Sequence, residues 1–122
     1  MFAGGTFASP NLNAVKLDRS TGAADLTWNP APASSVRTLA IAPGNALVVG
    51  GHFNTVGGTS RTRLALVSQS GIGALDPDWA PAVDGAVIAS AVIGSDVLIG
   101  GQFSNVSDLP RPGLAELPLI AS

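Results

Sequence analysis

Short apolar runs, rich in β-branched side chains, alternate along this chain with clusters of Gly, Pro, Asn, Asp and Ser. Residues 35–42 (SVRTLAIA), 46–53 (ALVVGGHF) and 63–69 (RLALVSQ) are the clearest, and runs of this length and composition predict strands rather than helices. The residues PGN join the first two as a hairpin. The third follows the loop NTVGGTSRT, and DPDWAPAV at 76–83 follows SGIGAL as a fourth strand. Pro77 and Pro81 lack the N–H that a sheet interior needs, so that strand is expected at an edge. The most apolar span, residues 86–101 (AVIASAVIGSDVLIGG), is interrupted by Gly94 and Asp96. It predicts two strands about a GSD turn and no membrane-inserting helix.

The pattern repeats. Gly-Gly-x-Phe occurs as Gly4-Gly5-Thr6-Phe7, Gly50-Gly51-His52-Phe53 and Gly100-Gly101-Gln102-Phe103, at spacings of 46 and 50. The offset of 50 also carries Val56 onto Val106, Arg61 onto Arg111, Leu64 onto Leu114 and Ala65 onto Ala115. A Trp-x-Pro element recurs at an offset of 51, with Asp25, Trp28 and Pro30 matching Asp76, Trp79 and Pro81. The run after Phe7 closes sooner than those after Phe53 and Phe103, so the copies differ in loop length while the strands hold register.

Four strands recurring at about 50 residues is the arithmetic of a β-propeller blade. The chain divides into strands two to four of one blade (1–34), a complete blade (35–84) and strands one to three of another (85–122). The expected fold is thus all-β, a partial propeller of about two and a half four-stranded antiparallel blades, where a closed ring needs at least about four. A fragment of a larger propeller is the expected source, and a small self-assembling protomer the alternative. Blades bury their faces against one another, so the expected partners are neighbouring blades of the same or a longer chain.

Composition narrows the function. With 15 Gly and 9 Pro there is little room for long helices, and 46% hydrophobic against 11% charged residues requires a buried core. A net charge of -2 provides no basic field, so nucleic acid is not an expected partner. The absence of Cys removes disulfides and thiolate metal sites without fixing a compartment. The opening MFAGGTFASP has neither the basic nor the long apolar region of a signal peptide.

Taken together, these motifs resemble the bacterial delta-60-type β-propeller repeats, a family whose pattern runs as an apolar strand, Gly-Gly-x-Phe, a Gly-containing turn, Arg-x-Arg-Leu-Ala, Leu-Asp and an aromatic-x-Pro. The stretch VVGGHFNTVGGTSRTRLALVSQSGIGALDPDWAP follows it throughout, including Arg61, Arg63, Leu64, Ala65, Leu75, Asp76, Trp79 and Pro81. Fungal cortical polarity-marker propellers are similar around the Gly-Gly-x-Phe strand. The first copy departs by reading NLNAVKLD where the arginines belong, and the third has Gly113 in place of the second arginine. The resemblance implies a repeat module of large secreted or cell-surface proteins, with no family-wide catalytic residues and no cofactor.

Each candidate for chemistry has a structural counterpart. Gly50-Gly51 does not lead into a helix or a P-loop Lys, so it is expected to relieve crowding between strands rather than hold phosphate. His52 stands where the other copies have Thr6 and Gln102, and no nucleophile motif accompanies it. Asp76, Asp78 and Asp84 do not follow a calcium-loop spacing, and turn or cap roles are expected of them. Arg61, Arg63 and Arg111 could bind an acidic group; the structural expectation is that their stems cover apolar edges and their charges pair with aspartates. Trp28 and Trp79 could stack on sugars but recur in register, as core residues do. Asn105-Val106-Ser107 fits the glycosylation pattern.

The functional expectation is a non-enzymatic propeller module, a scaffold or a protein- or glycan-binding surface. A segment of a propeller hydrolase or lyase with its active residues in other blades is the alternative.

Overall fold

A computed structural model describes residues 2–6, 13–18, 20–25, 27–77, 79–107 and 109–119. Among the described residues there is no helix, and the thirteen strands are all paired antiparallel. The first sheet contains β1 (Phe2–Gly4), β2 (Ala14–Leu17) and β3 (Ala24–Asp25). The second is built from β4 (Val36–Ala42), β5 (Ala46–Gly51) and β8 (Leu64–Ser68), with the hairpin β6 (Thr55–Val56) and β7 (Thr59–Ser60) between β5 and β8. The third repeats this plan with β9 (Val87–Ile93), β10 (Asp96–Gly101) and β13 (Leu114–Pro118), and the hairpin β11 (Asn105–Val106) and β12 (Leu109–Pro110).

The sheets share one register. Val48 faces Leu66 and Gly50 faces Leu64 in the second sheet; Leu98 faces Glu116 and Gly100 faces Leu114 in the third. In the first, Phe2 faces Lys16 and Gly4 faces Ala14, so β1 and β2 stand where β5 and β8 do. Residues that match in the sequence thus occupy matching cross-strand pairs, which are the units that stabilise a sheet.

The sheets stack face to face, and the period-2 alternation of each strand sends side chains to opposite faces. Leu47, Val49, Ala65 and Val67 of the second sheet form one core with Ala14, Trp28 and Phe53. Val48, Leu64 and Leu66 on its other face form a second core with Val87, Val97, Ile99, Phe103 and Trp79. Apolar residues on both faces explain why β5 and β8 read as unbroken apolar runs rather than alternating ones. Neighbouring sheets approach most closely through the leading strands β4 and β9, where the Thr38 and Ser90 hydroxyls are hydrogen bonded at 2.7 Å.

Two expectations are corrected. The described residues of 76–83 form no strand of the second sheet: Leu75 makes a single bridge to Val67, flanked by Ser68 N–H donating to Ala74 O and Asp76 N–H to Leu66 O. Beyond it the chain crosses to the third sheet, where Val83 bridges Val106 and the Ser107 N–H donates to Ala82 O. Proline at 77 and 81 cannot donate to a ladder, and the nearby Trp79 is buried in the next core. The segment 54–62, expected as a plain connection, contains the short strands β6 and β7, and Val56 bridges Pro32.

Candidate functional site

The Gly-Gly pairs explain themselves in the structure. β4 carries a bulge, with Gly51 paired to Val36 and Gly50 to Thr38, so that Arg37 is the extra residue. β9 repeats it at Ile88, between Val87 paired to Gly101 and Ala89 paired to Gly100. A Cβ on Gly51 would collide with the Ser35 carbonyl oxygen, and one on Gly101 with that of Ala86. The first glycine has a different task. A Cβ on Gly4 would lie 2.5 Å from Val36 Cγ1, and one on Gly50 would lie 2.7 Å from Val87 Cγ1. In each case the valine belongs to the leading strand of the next sheet, so the glycine is its seat.

The left-handed residue that opens each third strand supports the same pair. Asn13, Arg63 and Gly113 have φ of 58°, 65° and 74°. Their carbonyls accept the N–H of Gly5, Gly51 and Gly101 at 3.1, 3.1 and 3.2 Å. Asn13 Nδ2 donates to Pro32 O at 2.9 Å and Arg63 Nη1 to Val83 O at 2.9 Å, tying each sheet to the segment that leaves for the next. The departure of Gly113 from the Arg-x-Arg pattern thus has a backbone reason: the position demands a positive φ, which Gly adopts at no steric cost. Arg63→Asn is expected to keep stability within about 1 kcal/mol, because Asn tolerates this φ and Asn13 makes the equivalent bond. Arg63→Val, with strain and no donor, is expected to lose roughly 2–4 kcal/mol. Urea unfolding of both variants checks this; equal midpoints would refute it.

Trp28 and Trp79 are buried and equivalent. Trp28 Nε1 donates to Ser68 O at 2.7 Å and Trp79 Nε1 to Pro118 O at 2.8 Å, each at the end of the next sheet's third strand. Trp28 also meets Phe2, with ring centroids 5.0 Å apart. Neither indole is free to stack on a sugar. Phe53 and Phe103 lie in the same two cores, Pro30 is buried and Pro81 half-buried, while Phe7 lies outside the described residues.

The remaining candidates are dispersed. His52 is exposed, and its N–H donates to Ser35 O as the Gln102 N–H does to Ala86 O. Arg61 is 8% exposed; it donates to Ser60 O at 2.7 Å and Asp76 O at 3.0 Å, and its Nε has no partner. Arg111 is exposed and donates to Pro110 O at 2.7 Å. These arginines serve backbone carbonyls, which the sequence did not indicate.

The aspartates hold turns. Asp25 accepts the Thr27 N–H at 3.0 Å and Asp76 the Trp79 N–H at 3.3 Å, two and three residues ahead. Asp78 lies outside the described residues. Asp84 accepts the amides of Ser104 and Asn105 and the side-chain Nδ2 of Asn105, fastening the crossing segment to the start of β11. Among the described residues no group of three His, Cys, Asp or Glu is placed to hold a metal.

The amides of Asn105 and then Ser104 hold the Asp84 carboxyl below its ordinary value. Its contribution is therefore present above the unfolded-state pKa, about 4, and is lost as pH falls through the lower folded value. Asp84→Asn is expected to reduce the fall in the urea midpoint from about pH 5 to pH 2. An unchanged slope would show that Asp84 does not contribute.

A groove of about 670 Å³ is lined by Phe2, Lys16, Leu39, Ile41, Asn45 and Gln69 among others. Its cation is engaged: Lys16 Nζ donates to Gln69 O at 2.7 Å and lies 5.8 Å from the Phe2 centroid. Comparison with protein-family models, curated proteins and solved structures finds no match to the chain.

Proposed function

We propose that the chain is a segment of a β-propeller and acts as a non-enzymatic scaffold, presenting its loops to a protein or glycan at a cell surface. The observation that carries this reading is the stack itself: antiparallel sheets in one register, face to face, closest at their leading strands. The bulky Trp28 and Trp79 fill equivalent cores and are each hydrogen bonded to the end of a third strand. The residues that vary between copies, His52 and Gln102, are exposed and outside the cores, where a binding surface is free to diversify. The secreted or cell-surface setting rests on the resemblance to delta-60-type repeats.

The test joins binding to turnover. The chain is applied to arrays of glycans and of surface proteins, and to chromogenic esters, glycosides and glycan-lyase substrates. The scaffold reading expects saturable binding that His52→Ala with Gln102→Ala weakens at unchanged stability, and no turnover. Turnover that His52→Ala abolishes would overturn it.

A further inference from the structure

The third sheet has an outer face equivalent to the one that the second sheet buries beneath it. On that face lie Gly100, Leu98 and Leu114, in register with Gly50, Val48 and Leu64. Leu64 is 0% exposed, whereas Leu114 is 59% exposed, as is Ile93 at the edge of the same sheet. The Gly100 seat is open as well: a Cβ there would meet only the Gly113 carbonyl oxygen, at 3.7 Å. The two occupied seats, Gly4 under Val36 and Gly50 under Val87, specify what fits it.

This face also carries charge that its counterpart lacks. Glu116 stands in the register of Leu66, and Asp96 in that of Ala46. Asp96 and Glu116 are close enough that a hydrogen bond from one carboxyl to the other, with their mutual repulsion, raises the Glu116 pKa. Burying two such groups against an apolar sheet would be costly without a compensating cation. The first sheet shows how a charge at this register is met: Lys16, opposite Phe2 as Glu116 is opposite Leu98, reaches Gln69 O of the next sheet. Ile41 of β4 lines the same groove as Lys16, and Val92 is its equivalent on β9, since Ile41 pairs with Leu47 and Val92 with Val97.

We propose that the outer face of the third sheet docks a further antiparallel sheet of the same build, which presents a β-branched side chain to Gly100 and a basic side chain to Asp96 and Glu116. The position for the basic residue is the equivalent of Ile41 and Val92 on the partner's leading strand. This rests on the stacked-sheet reading above and adds a charge code to it. The code makes the contact selective, since an incoming sheet with an acidic residue at that position would be repelled.

The test extends the full chain after Leu119 with a second copy of residues 70–119, which continues the 50-residue register. The appended copy carries either its own Val92 or Val92→Lys, and both forms are made with Glu116 and with Glu116→Gln. The proposal expects one cooperative urea transition with a steeper slope than the parent, because docking adds buried surface. It further expects the lysine form to favour the folded state by about threefold, an advantage that Glu116→Gln and high salt remove. Valine and lysine forms that dock equally well would overturn the charge code and leave the stack intact. Separate unfolding of the appended unit in every form would overturn the stacked-sheet reading itself.

Discussion

Gly51→Ala is expected to destabilise the fold by at least about 3 kcal/mol, although the substitution adds a single methyl group. That methyl would collide with the Ser35 carbonyl oxygen and lie 3.0 Å from Val36 Cα and 3.1 Å from the Arg37 nitrogen. All three are backbone atoms at the bulge, and backbone cannot rotate out of the way as a side-chain end can. Gly50→Ala is expected to cost less, about 1–3 kcal/mol, because its methyl meets the Val87 and Thr38 side chains at 2.7 and 2.8 Å. Gly100→Ala meets neither obstacle and is expected to be neutral or stabilising by up to about 1 kcal/mol, through the reduced freedom of the unfolded chain. His52→Ala, one residue from the most sensitive position, is expected to change stability by no more than about 0.5 kcal/mol. Urea unfolding of the four variants tests the order; a Gly100 variant as damaged as the Gly51 variant would mean the seats are not what distinguishes these glycines.

Trp28→Ala is expected to cost about 3–5 kcal/mol, the range for removing a fully buried large aromatic. Trp28 is 0% exposed and lies in one core with Leu47, Val49, Phe53 and Val67. Trp28→Phe retains much of the packing but leaves the Ser68 carbonyl without its indole donor, so a smaller loss of roughly 1–2 kcal/mol is expected. The location of the damage is the sharper measurement. Trp28 follows β3 of the first sheet in the chain, yet its hydrogen bond and core lie with the second. Amide exchange should therefore accelerate in β5 and β8. Acceleration confined to β1–β3 would contradict the assignment of Trp28 to the core it shares with β5 and β8.

Much of the strand framework was legible because period-2 burial and turn chemistry are written locally. Residues 35–42, 46–53 and 63–69 were expected as strands, and β4, β5 and β8 lie within them. The fourth segment was misplaced for a physical reason. DPDWAPAV contains aromatic and apolar residues that suit a strand, but Pro77 and Pro81 withhold donors and Trp79 has its hydrogen-bond acceptor in another sheet. The arginines illustrate the same limit. Their charge suggested pairing with aspartates, whereas Arg63 is placed by a left-handed backbone and a distant carbonyl, neither of which has a sequence signature at that residue. The one hint was comparative: Asn13, Arg63 and Gly113 occupy one register, and Asn and Gly are the residues that tolerate positive φ.

The recurrence of strands, the residues that match between copies, and the Gly-Gly, Phe and Trp-x-Pro framework around a variable His52 can all be read from the chain alone. These follow from hydrophobic period, turn residues and repetition, which any stretch of chain carries within itself. Packing between sheets makes the first glycine a seat for the next sheet's valine and the second a space for a bulge. It also decides that each tryptophan serves the sheet ahead of it, and that Glu116 lies on an open face. Those properties depend on which surfaces meet across the stack. A repeat in the chain establishes that two residues are alike, and contact between sheets settles what each is buried against.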